Sequence, residues 1–404
     1  MSKLNGDILY LVFKELQDSK PTLRSCLTVS KSWCKVIIPT FWRNPWKILK
    51  DEKAIILLCV IISHLSDESK NNLSQQLESY QHNFLMYLYQ KPLFNYITFC
   101  KHLNLNEIEK LIKRCLSKES EISLIKKEIF NLFINENTQF THLYVPCQFN
   151  YPIHLIPEAK NCFSNLEFFS CNTSINDDIL TGLTEMCQSI RDLELYIEKN
   201  IDIYGIVKLI ETIKELNSIR ILIGYLKSGT SFCEILENSL IQHSKTIQYF
   251  TITKQPVTKV LSSFVKLKEL KLDLSNLIKN TNGNGYLTIV KIDNVIYDEI
   301  DNKMIIQTIY QNCPKLEYLK LVHLFSILIK SSPTSLFKLK ITSRKAPSLN
   351  SLRYFFGRWK GRKPMILKSN HWDWHGPSNY IDLLEKYKAE GIIKKYKMKE
   401  VRLF

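Results

Sequence analysis

The apolar positions at the start of the chain follow a helical period. Ile8, Leu9, Val12, Phe13 and Leu16 recur at i, i+1, i+4, i+5 and i+8, which puts them on one stripe of a 3.6-residue repeat. Asp7 stands ahead of that stripe, where a carboxylate can cap exposed N–H groups. Pro21 and Thr22 open a second short helix carrying Leu23, Cys26 and Leu27. Ser30 is expected to cap a third, with Trp33 and Ile37 four residues apart, and Pro39 to stop it. So short a segment is not expected to bury a core that accounts for all these residues. The stripe therefore predicts a partner polypeptide. Fully burying one Leu, Ile, Val or Phe is worth about 1.5–3 kcal/mol. Set against an association cost of roughly 4–15 kcal/mol, four or five such anchors make a complex and each one counts.

Farther along, the pattern changes. Apolar residues at i, i+3 and i+5 recur as Phe140-Leu143-Val145, Phe163-Leu166-Phe168, Ile190-Leu193-Leu195, Leu216-Ile219-Ile221 and Ile247-Phe250-Ile252. The series continues through Leu267-Leu270-Leu272, Leu287-Val290-Ile292, Leu316-Leu319-Leu321 and Leu336-Leu339-Ile341. Their central residues lie 23, 27, 26, 31, 20, 20, 29 and 20 positions apart, a spacing that suits one short strand and one helix per unit. One unit of about 25 residues cannot bury its apolar edge alone, so each must stack on the next. Between the two patterns, residues 51–65, 69–89, 106–116 and 120–133 read as helices, with a break at Lys91-Pro92. After the last triplet, Ser348 to Trp374 is aromatic and basic. A helix is expected near Tyr380–Glu390, then a strand ending at Phe404.

Two resemblances follow from these residues. Leu4, Asp7, Ile8, Leu9, Phe13, Leu16, Leu27, Val29, Ser30, Lys31 and Trp33 fall where an F-box has its Leu-Pro-x-Glu-Ile-Leu start and its later Val, Ser-Lys and Trp. Asn5 stands in place of the usual proline and Asp7 in place of the usual glutamate. The triplets, with Cys187 three residues ahead of Ile190 and Cys313-Pro314 ahead of Leu316, resemble cysteine-containing leucine-rich repeats. The resemblance implies an α/β chain in four parts: an F-box over residues 1–46, a helical linker or N-terminal cap over 47–138, a leucine-rich-repeat solenoid over 139–345 and a basic C-terminal cap over 346–404. It also implies an SKP-type adaptor, and through it a cullin, as partners, with the repeats holding an unidentified protein substrate. Adaptor contacts are then expected at Leu4, Asp7, Ile8, Leu9, Val12, Phe13, Leu16, Leu27, Val29 and Trp33. A helical subdomain packed on the rest of the chain remains the alternative for the N-terminus, and an ordinary α/β domain for the triplets.

Composition narrows the function classes. The 404 residues are 45% hydrophobic and 23% charged, as in a folded globular chain. Eleven cysteines, without a C-x-x-C pair or a secretory leader, point to reduced thiols inside a cell, in cytoplasm or nucleus. The apolar run Ala54–Ile62 is far shorter than the ~20 residues a membrane span needs. The formal charge of +16 suggests nucleic acid, yet only ten of the 55 basic residues are Arg. From Lys338 to Phe404 there are 17 Lys+Arg against 5 Asp+Glu, an excess of 17 − 5 = 12. Arg358, Lys360, Arg362 and Lys363 are the candidate contacts for an acidic or phosphorylated partner.

Catalytic and metal chemistry is not expected. Gly376-Pro377 after His375 disfavours the helix that a His371/His375 metal pair would need. Asp177-Asp178 fits a helix cap, and Gly283-x-Gly285 lacks the third glycine of a phosphate loop. Cys162, Cys171 and Cys187 are too widely spaced for a zinc site, so no cofactor is predicted. The leading expectation is a non-catalytic substrate receptor of a cullin-based ubiquitin ligase. A repeat scaffold outside that system and a basic nucleic-acid binder are the alternatives.

Overall fold

Most strands form at the apolar triplets, and where the segments between them are described they include helices. The computed structural model describes residues 6–16, 19–48, 54–77, 89–198, 204–223, 230–253, 258, 260–273, 288–293, 315–322, 334–343, 348–371 and 379–400. The chain is mixed α/β and divides into two units, residues 1–190 and 191–404. No helix among the described residues is long and apolar enough to cross a membrane.

The first unit opens with α1 (Gly6–Glu15), α2 (Lys20–Cys26) and α3 (Lys31–Trp42). Ser30 caps α3, its side chain accepting the Trp33 N–H at 3.2 Å. Pro39 does not end α3; the helix runs through it, and the Arg43 N–H reaches the Pro39 carbonyl at 2.9 Å. The proline forfeits the one bond it cannot donate. The turn beyond it is held by Trp42, whose ring stacks on Tyr96 at 4.6 Å. Then come α4 (Ala54–Ile62), α5 (Asp67–Gln76), α6 (Tyr96–Phe99), α7 (Leu105–Cys115) and α8 (Glu119–Phe133). Part of the helix expected over 69–89 lies outside the described residues.

A short strand, β1 (His102–Asn104), interrupts these helices and pairs in parallel with β2 (His142–Tyr144), which pairs with β3 (Phe168–Asn172). The sheet thus starts inside the stretch expected to be all helix. Only Leu103 of β1 is aliphatic, too little for a period-2 pattern to register. The register Leu103–Leu143–Phe169 also corrects one triplet. Leu166, Phe169 and Cys171 are the equivalents of Phe140, Leu143 and Val145, three positions on from the expected set. Phe163 misled the spacing because it is a buried residue of helix α9 (Ala159–Phe163). Helix α10 (Asp177–Met186) follows β3 and is capped by Asn176, which accepts the N–H groups of Asp178 and Ile179. Asp177 and Asp178 sit in its first turn, where a helix dipole favours carboxylates.

Among the described residues the second unit holds nine strands, each parallel to the next in chain order: β4 (Asp192–Ile197), β5 (Ser218–Ile223), β6 (Tyr249–Ile252), β7 (Glu269–Asp273), β8 (Ile289–Asp293), β9 (Tyr318–Val322), β10 (Lys338–Ser343), β11 (Met365–His371) and β12 (Ile393–Glu400). Leu193, Ile219, Phe250, Leu270, Val290, Leu319, Leu339 and Leu367 occupy one register row. All are buried, so this row is the spine of the core. Among the helices behind the sheet are α11 (Tyr204–Thr212), α12 (Thr230–Ser239), α13 (Val260–Ser263), α14 (Leu349–Gly357) and α15 (Asn379–Ala389). Phe355, Phe356, Trp359 and Tyr387 pack the last two together.

A backbone signature repeats at the strand entries. The carbonyls of Arg191, Asn217, Gln248, Lys268, Thr288 and Glu317 each accept two consecutive N–H groups from the next strand's entry. Lys101 and Thr141 do the same in the first unit. Each turn is therefore clamped to its successor before the strand begins.

Candidate functional site

The N-terminal helices form a small body with its own interior. Leu9, Phe13, Leu23 and Ile37 are buried together, with Leu16, Cys26, Leu27, Trp33, Val36 and Phe41 packed around them. The Phe13 and Trp33 rings meet edge to face at 5.2 Å and 68°. This corrects two expectations. The segment does bury a core, because three helices wrapped on one phenylalanine suffice at this scale. Leu9 and Phe13, expected as partner contacts, face inward and shape the module instead.

The apolar stripe of α1 is thereby split. Ile8 and Val12 lie on the outer side, 49% and 46% exposed, and Leu11 joins them at 60%. Tyr10 and Val29 are also exposed, as is the polar Asp7. Leu16, Leu27 and Trp33 are half-buried at the rim of the module's core. Leu4 lies outside the described residues. The outward residues Ile8, Leu11 and Val12 stand at i, i+3 and i+4, so they form a second apolar face on the same helix. Leu11 and Tyr10 were missed because a single period admits only one stripe.

The module is tied to the sheet at its exit. The Arg43 carbonyl accepts the N–H groups of Lys101 (2.9 Å) and His102 (3.2 Å), the same two-donor clamp found at later strand entries. Trp46 donates its indole N–H to the His102 carbonyl at 2.6 Å and is itself buried. Both backbone groups of His102 are thus engaged from the module side, which closes the free edge of β1.

On the sheet face away from the core, the first unit carries rings. His102, His142 and Phe168 share a register row, with centroids 3.7 and 5.2 Å apart. Burial pushes the His102 imidazole down to about 3, helped by His142, Lys47 and Arg43. Burial, with Arg43 and Lys47, lowers His142 to about 4. Both rings are neutral at physiological pH. A neutral, stacked row is a packing surface.

The second unit's corresponding face is charged. One row runs Glu194, Arg220, Thr251, Lys271, Lys291, Lys320, Lys340, Lys368 and Lys397. It begins mixed, with Glu194 and Arg220 paired at 2.7 Å, and becomes all lysine over β7–β12. Strands stand about 4.8 Å apart. Two unit charges about 5 Å apart repel by about 0.8 kcal/mol even in water. Lysines directly opposite one another ordinarily destabilise a sheet, and the Lys291–Glu269 ion pair relieves part of that repulsion. The signal in the sequence was a lysine between the last two apolar residues of successive triplets, as in Leu270-Lys271-Leu272 and Leu319-Lys320-Leu321.

The basic residues singled out near the C-terminus are engaged within the fold. Arg362 stacks over Trp359 at 4.2 Å and Lys363 lies over Phe337 at 3.7 Å. Lys360 pairs with Glu390 at 3.5 Å, and Arg358 donates to the Tyr354 hydroxyl at 3.2 Å. They lie at the end of α14 and in the turn after it.

The remaining polar candidates carry no assembled chemistry. Among the described residues, no three His, Cys, Asp or Glu side chains converge as a metal site needs. His375, Gly283 and Gly285 lie outside the described residues, and the His371 side chain does too. Cys171 and Cys187 are buried, and burial raises both thiols to about 12. Cys162 hydrogen-bonds Thr138 at 3.3 Å and the Asn135 carbonyl at 3.2 Å. Comparison of the chain with protein-family models and with curated proteins gives no match. The likeness to an F-box therefore rests on the residues that carry it.

Proposed function

We propose that the chain is a non-catalytic receptor of the F-box type, docking a small SKP-type adaptor through its N-terminal helices and holding a protein substrate on its sheet. The observation that carries this reading is the outer face of α1, where Ile8, Leu11 and Val12 stay exposed although the same helix already fills the module's core. The spacing of Leu9, Phe13, Leu27, Ser30, Lys31 and Trp33 supports it, as does Ser30 capping α3. Parallel strands in chain order, many of them clamped to the next at their entries, fit a leucine-rich-repeat solenoid. In such a receptor the chemistry belongs to other subunits. The chain contributes proximity, turning a bimolecular encounter between substrate and ligase into an effectively unimolecular one.

A second reading rests on the clamp at Arg43: a repeat scaffold in which the N-terminal module serves only as an end cap. Co-purification separates the two. The receptor retains an SKP-type adaptor and loses it in Leu11→Asp/Val12→Asp, while Ile56→Asp, on an exposed apolar position of α4, keeps it. A chain that elutes without adaptor, or a double variant that binds like wild type, removes the receptor reading.

A further inference from the structure

We infer that the lysine row of β7–β12 is the seat of an acidic, extended protein segment that alternates carboxylates with apolar side chains. The argument starts from register. Lys271, Lys291, Lys320, Lys340, Lys368 and Lys397 are direct cross-strand partners, in one line over six strands. Five strand steps make that line roughly 24 Å long. Each lysine alternates with buried neighbours such as Leu270, Leu319 and Leu339, so the row lies on the face turned away from the core.

The adjacent row on the same face reads Glu269, Ile289, Tyr318, Lys338, Ile366 and Lys395. Glu269 forms an ion pair with Lys291. The row on the other side has Asp273 and Asp293 at β7 and β8. Positive charge therefore gathers toward β9–β12, where Lys338 and Lys395 add to the line. Ile289, Tyr318 and Ile366 are half-buried and stand beside the lysines. The surface offers cations in one column and apolar contacts in the next.

That pairing selects the ligand. An extended segment laid across the strands covers the row with about seven residues, presenting alternate side chains to alternate columns. Its carboxylates complement the net positive charge of a row that is lysine on all six strands. Nucleic acid fits less well. The six strands contain no arginine, the residue suited to bidentate phosphate and base contacts. Tyr318 is the one aromatic in these two rows, whereas single strands need a series of stacking platforms. The inference deepens the receptor reading by naming a substrate class and rests on that reading for the word substrate.

The test uses the full chain and a fluorescent eight-residue peptide alternating Glu with Leu or Tyr, read by anisotropy, with a single-stranded oligonucleotide of equal charge as competitor. The peptide is expected to bind at low salt and to weaken as salt is raised. Lys320→Glu/Lys340→Glu/Lys368→Glu should weaken it on the order of 10–100-fold. Lys113→Glu/Lys127→Glu/Lys160→Glu, the same charge change off this face, should leave it within about twofold. If charge reversal prevents folding, the Lys→Gln triple serves, since it relieves repulsion while removing the cations. Absence of peptide binding, equal loss in the off-face variant, or tighter row-dependent binding of the oligonucleotide would each overturn the proposal. Adaptor co-purification is measured on the same row variant and should be unchanged. A chain that binds peptide through the row but no adaptor would leave the surface standing and remove the receptor reading.

Discussion

Phe13 meets Trp33 edge to face at 5.2 Å, joining α1 to α3 across the interior of the N-terminal module. Phe13→Ala therefore acts on folding before it acts on binding. Truncating a buried phenylalanine costs about 3–5 kcal/mol, more than a body of this size can spare. Hydrogen exchange should show protection lost across α1–α3 and kept in β4–β12. Leu11→Asp should leave that protection in place while reducing adaptor capture. Loss of adaptor binding by Phe13→Ala with full protection retained would contradict this division of labour.

Trp46→Phe tests how the module is anchored. The indole N–H donates to the His102 carbonyl at 2.6 Å in a buried setting, and phenylalanine keeps the bulk while leaving that acceptor to the weaker Cys100 thiol at 3.2 Å. The expected cost is about 0.5–1.5 kcal/mol in thermal or urea melts. A melt within 0.5 °C of wild type, a threshold well below the several degrees that about 1 kcal/mol gives a small domain, would argue that the bond contributes nothing.

The stacked imidazoles make the first unit sensitive to acid. His102 and His142 are held at about 3 and about 4, below the ordinary value near 6.5 that they regain on unfolding. Between those limits the unfolded chain binds more protons, so stability falls as pH drops from about 6.5 and is present in full above it. Melts from pH 7.5 to 4.5 should show this slope, and His142→Phe should flatten it. A stability that rises on acidification would refute the assignment.

Cysteine labelling should follow burial. Cys100, Cys171 and Cys187 are buried, with thiols raised to about 12, whereas Cys147 is exposed. Under native conditions iodoacetamide should modify Cys147 well before these three, which should react only on unfolding. Early modification of Cys171 in a folded sample would mean that the sheet opens around β3.

How much of this could be read from the chain depends on how far each feature reaches along it. The strands were legible because triplets such as Leu267-Leu270-Leu272 bury three side chains on one local period. β1 was not, since three residues with one aliphatic side chain carry no period. Pro39 misled because local backbone chemistry predicts a stop, while a ring stack on Tyr96, far along the chain, keeps the helix going. In α1 the apolar residues were visible but not their sides: Phe13 inward and Val12 outward is decided by α3, not by spacing. The lysine row needed register between strands up to 29 residues apart, which only the sheet supplies.

The clamp from Arg43 and Trp46 onto His102 bears on how this protein can be dissected. A fragment starting at residue 47 would strip both groups from β1 and leave a bare parallel strand at the end of the sheet. Such an edge is a template for another chain. Shortened versions made to isolate substrate recognition would then pair with themselves, so the module's removal would show up as aggregation as well as lost docking.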